Sequence, residues 1–326
     1  MFAARQFRSA FLNLLWLTSL SAAQAALQDT ALPTYRTSVS EVRVTFFATD
    51  ENGQPVTDLT SSDLAVVDSE QVLRTFRSFR RSNETALDVV VVLDASQSVG
   101  PRFQFAMTEV AQIVAHEQSI PEDNVSIISF GDESPAGNRT PGTPAASLHP
   151  VALCASGCRT SYSASNLQAL ESGTVTPLFD ALVFGVEFIS HHRRPGARQI
   201  LILFSDGNDT ISLHSSRDAL QAVTEAGALV YSVDMGNLGQ PTRGCLFLQQ
   251  LSRTSGGRYL FMGSARKKSA SDILETVLGD LRASYVVTYA LPNHLAGFHD
   301  VRLLPTRNLN LTFHSRNGYY YETSPH

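Results

Sequence analysis

The sequence of 326 residues is poor in cysteine, with only three, and it contains no C-x-x-C pair. This argues against a redox centre or a metal centre built on thiolates. In an oxidising compartment Cys154 and Cys158 could close a small loop, or both could remain idle thiols. Cys245 is the odd cysteine, and we expect it to be buried.

Signatures of the common catalytic classes are also missing. The chain has no G-x-S-x-G, no H-E-x-x-H and no G-x-x-x-x-G-K-[ST] motif. The adjacent pair His191-His192 falls at a predicted helix end, where positive charge complements the helix dipole. Basic residues are fewer than acidic ones, 25 against 30, giving a formal charge of −5. An acidic surface repels phosphate, which makes nucleic acid an unfavourable partner.

Long apolar runs are confined to the first residues. Arg5 and Arg8 precede the apolar run Phe11–Leu20, and Ala23-Gln24-Ala25 follows it as a small-residue site. The run is shorter than the roughly 20 residues that a membrane-spanning helix needs. We therefore predict a signal peptide over residues 1–25, cleaved after Ala25, and a secreted or periplasmic mature chain with no transmembrane segment. Its formal charge becomes 23 − 30 = −7.

Between residues 85 and 284, apolar runs alternate with segments of helical periodicity. Fully apolar strands separated by helices are typical of a mostly parallel sheet covered on both faces. We therefore predict a doubly wound α/β domain over residues 85–284. Its predicted strands are Asp88–Leu93, Val125–Phe130, Ala145–Leu153, Ile200–Phe204, Ala228–Val233 and Arg258–Phe261, and its predicted helices are Phe103–Ala115, Leu167–Leu170, Leu178–Ile189, Ser215–Ala226, Leu246–Leu251 and Ile273–Leu281.

The two flanks of this domain have a different pattern, in which apolar and polar residues alternate with a period of two. We predict that residues 36–84 and 285–326 fold together into a small antiparallel β unit beside the α/β domain. The predicted strands are Val42–Phe47, Leu64–Val67, Val72–Phe79, Tyr285–Tyr289, Val301–Leu304, Leu309–Phe313 and Tyr319–Tyr321.

Oxygen-bearing side chains follow two of the buried strands. Asp94, Ser96 and Ser98 come directly after the first, and alternate spacing in an extended loop sends them to one side. Asp206 follows the strand Ile200–Phe204, and Thr176 precedes an apolar helix, with Thr174 as a less well spaced substitute. Ligands bind at the carboxyl ends of strands in such sheets, and hard oxygen donors suit Mg²⁺, Mn²⁺ or Ca²⁺. Taken singly, each feature is also explained by a serine-rich turn, a helix N-cap or a turn aspartate.

These three segments resemble the motifs of the von Willebrand factor type A domain. Its first motif, D-x-S-x-S, is matched by Asp94, Ser96 and Ser98, its threonine by Thr176 in TPLFDAL, and its strand-end aspartate by Asp206 in FSDG. The flanks VRVTFFATDENGQPVTDLTSSDLAVVDSEQ, LRASYVVTYALP and RNGYYYE resemble a bacterial group called acidobacterial VWFA-related proteins. The resemblance therefore extends over nearly the whole mature chain, with no departure at the five site positions.

In that family the three motifs form a metal-ion-dependent adhesion site. The resemblance implies that Ser96, Ser98 and Thr176 contact a divalent cation through their hydroxyls, and that Asp94 and Asp206 hold it directly or through water. We expect Mg²⁺ first, with Mn²⁺ or Ca²⁺ as alternatives. Because hydroxyls neutralise little of its charge, the cation can accept a Glu or Asp carboxylate of a protein partner.

The resulting expectation is a non-enzymatic protein-binding module outside the cytoplasm. If Ala145–Leu153 returns antiparallel beside Val125–Phe130, the turn over residues 131–144 lies on the metal side and helps to select the partner. Two alternatives stay open at this point. One is a metal-assisted hydrolase that uses Asp94, Asp206 and Asp209, and the other is a structural envelope protein with a vestigial metal site.

Overall fold

The structure is a computed structural model that describes residues 41–82, 86–96, 98–99, 102, 106, 110, 124–130, 151–154, 175–236, 241–262 and 270–321. Of these, residues 151–154 and 270–274 are described by their backbone alone. The predicted signal peptide, the helix Leu167–Leu170, Thr174, Cys158 and the turn 131–144 lie outside the described residues. What the sequence indicates for these segments stays a prediction, as does the choice between a disulfide and free thiols for Cys154 and Cys158.

Fourteen strands, four α-helices and one short 3-10 helix, Ser61–Asp63, have both ends within the described residues. The strands are β1 (Glu41–Thr49), β2 (Leu64–Asp68), β3 (Gln71–Leu73), β4 (Ser78–Arg81), β5 (Leu87–Asp94), β6 (Asn124–Phe130), β7 (Val151–Cys154), β8 (Arg198–Ser205), β9 (Leu229–Asp234), β10 (Tyr259–Phe261), β11 (Tyr285–Ala290), β12 (Gly297–Pro305), β13 (Thr312–Ser315) and β14 (Gly318–Tyr321). The helices are α1 (Leu178–His191), α2 (Ser216–Ala226), α3 (Arg243–Ser255) and α4 (Ala270–Arg282).

The central sheet has the strand order β10-β9-β8-β5-β6-β7, and all its strands are parallel except β7. Alternate residues of β5 are buried on opposite faces, as expected for a strand covered on both sides. Val90 and Val92 pack with α1, α2 and α3, whereas Val89 and Val91 pack with α4 and with a second group. The second group consists of Ala106 and Val110, which are buried and helical. Both lie within the predicted helix Phe103–Ala115. The prediction of a doubly wound α/β fold is confirmed.

Local signals set the helix ends. Ser215 caps α2 by accepting a hydrogen bond from the Asp218 backbone N–H at 3.2 Å, and the Asp218 carboxylate accepts the Ser215 N–H in return. Gly227, with φ +67°, ends the helix in the left-handed conformation that glycine tolerates best. At the end of α1, His191 and His192 each bring Nδ1 within 2.8 Å of a carbonyl oxygen one turn earlier, consistent with their predicted place at a helix end.

The two chain ends form two four-stranded antiparallel sheets, which confirms that they fold together. One has the order β13-β1-β11-β4 and the other β14-β12-β2-β3. In the first, Glu41 of β1 pairs with Ala290 of β11, and in the second Leu64 of β2 pairs with Pro305 of β12. Side chains of both sheets, including Val44, share one hydrophobic core. The exact boundaries between this unit and the α/β domain stay a prediction.

Three predictions from the flanks and the cysteines are corrected. The segment Val72–Phe79 is not one strand, because β3 pairs with β2 whereas β4 pairs with β11 in the other sheet. The chain crosses between the sheets at residues 74–77, and Phe76 packs against their common core. The last-but-one strand starts only at Thr312, after a turn in which Asn308 accepts the Asn310 N–H. Cys245 is partly exposed rather than buried.

Candidate functional site

Asp94 ends β5 and is fully buried at the carboxyl edge of the central sheet. Its Oδ1 accepts the Ser96 backbone N–H at 2.9 Å, and its Oδ2 accepts the Ser205 hydroxyl at 2.7 Å. Ser205 is the last residue of β8, the parallel neighbour of β5, where Leu93 is paired with Phe204. The register of these two strands therefore brings a hydroxyl beside the carboxylate.

The two serines of the first motif lie side by side. The hydroxyl oxygens of Ser96 and Ser98 are 2.9 Å apart. Ser96 is buried, whereas Ser98 is exposed. The segment from Ser96 to Val99 is a turn, in which the Val99 N–H donates to the Ser96 carbonyl at 3.2 Å. The two hydroxyls therefore lie together as predicted, but in a turn rather than in an extended loop.

Asp206 begins the loop after β8 and is 7% exposed. Its Oδ1 accepts the Asn208 N–H at 3.0 Å, and the Gly207 N–H bonds the Ser205 hydroxyl at 3.0 Å. Gly207 has φ +78°, and the backbone of Gly244 at the start of α3 passes so close that a Cβ on Gly207 would lie 2.3 Å from its carbonyl oxygen. The loop that carries Asp206 is therefore held against α3 by two glycines.

Thr176 is joined to that same loop through its backbone. The Thr176 N–H donates to the Thr210 hydroxyl at 2.7 Å, and the Thr210 N–H donates to the Thr176 carbonyl at 2.9 Å. Thr176 does not act as the N-cap of α1, because that position is taken by Pro177, which makes no side-chain cap bond. Its buried side chain is thus not explained by helix capping.

The electrostatics of the edge favour a cation. Burial raises the pKa of Asp94 to about 6, hydrogen bonds from Ser205 and Ser96 act in the opposite direction, and the Asp206 charge raises it further. No lysine, arginine or histidine forms an ion pair with Asp94 or Asp206 in the described part of the chain. A divalent cation would offset both negative charges, and the donor set of two carboxylates and three hydroxyls fits a hard ion such as Mg²⁺.

Asp209, the third acid of the hydrolase alternative, has a different role. Its Oδ1 accepts the Ser212 hydroxyl at 2.5 Å and the Phe179 N–H at 3.3 Å, so it binds the first turn of α1. Within the described residues no group of three or more His, Cys, Asp or Glu side chains could hold a metal ion. Asp209 is thus hydrogen-bonded to Ser212 and to the start of α1, and the hydrolase alternative stays a prediction.

Sequence reasoning missed the residues that support the site. Ser205 bonds Asp94, Thr210 bonds Thr176, and Asp234 ends β9 beside Ser205, where its Oδ2 accepts the Tyr259 hydroxyl at 2.5 Å. A polar residue in the last position of an otherwise apolar strand, as in ILILFS and LVYSVD, is the signal that could have found Ser205 and Asp234.

The family model of the von Willebrand factor type A domain matches residues 88–264, which is more than half of the chain. The chain belongs to the von Willebrand factor type A domain family. Proteins with this VWA domain generally use it for protein interactions. All five predicted site residues fall within the matched range. No curated protein matches the sequence.

Solved structures also match this chain, at low sequence identity. An aerotolerance-related membrane protein from Bacteroides fragilis is 14% identical, with a TM-score of 0.43, and the match covers 60% of this chain and 98% of that one. The SpRpn10 VWA domain is 12% identical, with a TM-score of 0.42, and covers 58% and 94%. BatB from Bacteroides thetaiotaomicron is 16% identical, with a TM-score of 0.41, and covers 60% and 98%. Among the described helices of this chain, none has the length and hydropathy to cross a bilayer.

Proposed function

We propose that this VWA protein is an extracytoplasmic, non-enzymatic binding module that grips an acidic side chain of a protein partner through a divalent cation. Asp94, Ser96, Ser98, Thr176 and Asp206 would hold the cation, with Mg²⁺ as the first expectation. The observation that supports the proposal is that the segments carrying these residues are joined to one another at the carboxyl edge of the sheet. The 2.7 Å bond from Ser205 to Asp94 joins β8 to β5. The Thr176–Thr210 bonds join the start of α1 to the loop after Asp206.

The chemistry follows from the charge of the donors. The two carboxylates carry two negative charges at most, and the hydroxyls are neutral, so the site supplies less charge than a carboxylate-rich calcium loop. Ser98 is exposed, which places one donor at the solvent boundary where a partner can approach. A Glu or Asp carboxylate from that partner would complete the oxygen donors, and the strength of the contact would depend on the cation.

The test is a thermal melt of the purified protein with Mg²⁺, Mn²⁺ or Ca²⁺, and with chelator. A ligand at one hundred times its dissociation constant stabilises by about 2.7 kcal/mol, which is several degrees for a domain of this size. Asp206→Asn keeps the acceptor for the Asn208 N–H, and Thr176→Val keeps the side-chain shape and the backbone bonds to Thr210. Both variants should fold and should lose the metal-dependent shift.

The matched control is Glu187→Gln, which removes one exposed carboxylate from α1 away from the sheet edge. It should retain the full shift. If the wild-type protein shows no shift with any of the three metals, the metal-dependent function is refuted and the structural-envelope alternative takes its place. If the shift is present, capture of partners with and without chelator, eluted with glutamate-rich peptide, tests the second half of the proposal.

A further inference from the structure

A second concave region lies at the opposite end of the central strands. A cavity of about 400 Å³ opens where the amino ends of β8 and β9 face the antiparallel sheet of β1, β11 and β4. Because β8 runs from Arg198 to Ser205, this cavity and the Asp94 edge are at opposite ends of the same strand. The volume falls within the range of small-molecule pockets, roughly 300–1,000 Å³.

The cavity is strongly basic although the chain is acidic overall. Among its described lining residues there is one carboxylate, Glu225, whose Oε1 accepts the Gln221 side-chain amide at 2.8 Å. Against this single acid stand five arginines, in a protein whose formal charge is −5. These are Arg43, Arg80, Arg193, Arg198 and Arg316.

The fold collects these arginines from both parts of the molecule. In the antiparallel sheet, Thr45 of β1 pairs with Val286 of β11, which pairs with Arg80 of β4, so the three form one row. Arg43 lies two residues before Thr45 and therefore shares its face of the sheet. Arg193 follows α1 and Arg198 starts β8, so the α/β domain supplies the facing wall.

Two of the arginines have groups that the described protein does not satisfy. Within the described residues, the Arg198 guanidinium donates to the Leu281 carbonyl and the Ser284 hydroxyl, both at 3.1 Å, and the Arg316 guanidinium donates to the Arg43 carbonyl at 3.0 Å. The Nε of each is buried without a hydrogen-bond partner. Burial lowers the pKa of both guanidinium groups, which reflects the cost of removing their charge from water.

Other arginines near this end of the molecule do have acidic partners. Arg194 pairs with Asp88 at 2.6 Å, and Arg258 pairs with Asp280 at 3.0 Å. None of the five cavity arginines forms an ion pair with a carboxylate of the described residues. Arg198 and Arg316 are partly buried, whereas Arg43, Arg80 and Arg193 are exposed. The two partly buried charges lack counter-charges, which is unfavourable unless a ligand supplies them.

We infer that this cavity binds a small molecule through a phosphate group. Several guanidinium groups surround the cavity from two walls, and a tetrahedral oxyanion presents acceptors in several directions at once. A single planar carboxylate is satisfied by one bidentate arginine, so it would leave the other arginines unpaired. The rest of the cavity volume accommodates the group that carries the phosphate.

Calorimetric titration of the full chain with inorganic phosphate and with pyrophosphate tests the inference. The titrations are done in chelator and at constant ionic strength in chloride, with sodium acetate as the carboxylate probe. Chelator removes any contribution from the cation edge, so this result is independent of the proposed metal function. We expect saturable binding of phosphate or pyrophosphate, and at least ten-fold weaker binding of acetate.

The decisive comparison is Arg80→Ser against Arg81→Ser. Both residues are exposed neighbours on β4, and both changes remove one positive charge, but Arg81 does not line the cavity and lies over the Tyr285 ring instead. Arg80→Ser, and Arg193→Ser from the facing wall, should weaken binding at least ten-fold, whereas Arg81→Ser should change it less than two-fold. Equal losses in Arg80→Ser and Arg81→Ser, equal binding of acetate, or no saturable binding by the wild-type protein would each overturn the inference.

Discussion

Replacing Gly207 by alanine tests whether the close approach of two backbones holds Asp206 in place. Left-handed backbone costs a residue with a Cβ roughly 1–2 kcal/mol, and reduced entropy of the unfolded chain offsets about 0.4–1 kcal/mol of this. In addition, the new Cβ would lie 2.3 Å from the Gly244 carbonyl oxygen and 2.5 Å from its carbon, well inside van der Waals contact. Overpacking of this kind costs about 1–3 kcal/mol, so the expected loss of unfolding free energy is about 2–4 kcal/mol.

Gly196 provides a matched control for the backbone cost alone. It has φ +81°, almost the same as Gly207, but a Cβ there would meet nothing within 4 Å. Gly196→Ala should therefore lower the free energy of unfolding by no more than about 1.5 kcal/mol. The difference between the two alanine variants isolates the contact with Gly244.

The assay is urea denaturation of the wild-type protein and both variants in chelator, followed by thermal melts with Mg²⁺. Gly207→Ala should also reduce the metal-dependent shift, because relief of the overlap moves the loop that carries Asp206. Gly196→Ala should leave that shift intact. If the unfolding free energies of the two variants agree within about 0.5 kcal/mol, the reasoning from the Gly207–Gly244 contact is refuted.

Three further predictions concern buried polar groups. Ser205→Ala leaves the Gly207 N–H unpaired and removes a donor to Asp94, so it should cost about 1–3 kcal/mol in urea denaturation and weaken metal binding at neutral pH. Burial and the nearby Arg258 charge lower the pKa of His314 to about 4. As the pH drops from 6.5 to 4, this histidine is protonated in the unfolded chain before it is protonated in the folded protein, so the free energy of unfolding should fall. The His314→Gln variant should not show this fall. Burial raises the pKa of Asp280 to about 6 despite its ion pair with Arg258. As the pH rises from 4 to 6, this carboxyl loses its proton in the unfolded chain first, so the free energy of unfolding should fall. The Asp280→Asn variant should not show this fall in the same pH series of denaturation curves.

Features that depend on local pattern were predictable from the sequence. The run VVVVLD is buried on both faces of a parallel sheet, and the two serines of D-A-S-Q-S have their hydroxyls 2.9 Å apart. The segment Val72–Phe79 was not predictable in this way. Its alternation is compatible with one strand, and only the presence of two separate sheets divides it between β3 and β4.

For features that depend on strand register or on distant segments, the sequence did not show which residues contact each other. Ser205 reaches Asp94 because β8 and β5 are adjacent and in register, although the residues are 111 positions apart. The arginine-lined cavity draws on seven separate segments, and Arg316 contacts the Arg43 carbonyl across 273 positions. No spacing rule connects such residues, so the cavity could not be predicted without the structure of both of its walls.

The pairing of the chain ends has a consequence for how the protein is made. Strand β1 needs β11 and β13, and Glu41 finds its partner Ala290 only after almost the whole chain has been synthesised. At about 5–20 residues per second, the 248 residues between Glu41 and Ala290 take about 12–50 s to synthesise, and during this time an apolar strand lacks its neighbours. The α/β domain can fold during that interval, and the Ser82 N–H that bonds the Ser284 carbonyl shows that it brings its two ends together. Once folded, the inserted domain would hold the segments on its two sides close together and so lower the loop-closure cost of pairing β1 with β11. A destabilised insert should leave newly made β1 exposed to aggregation.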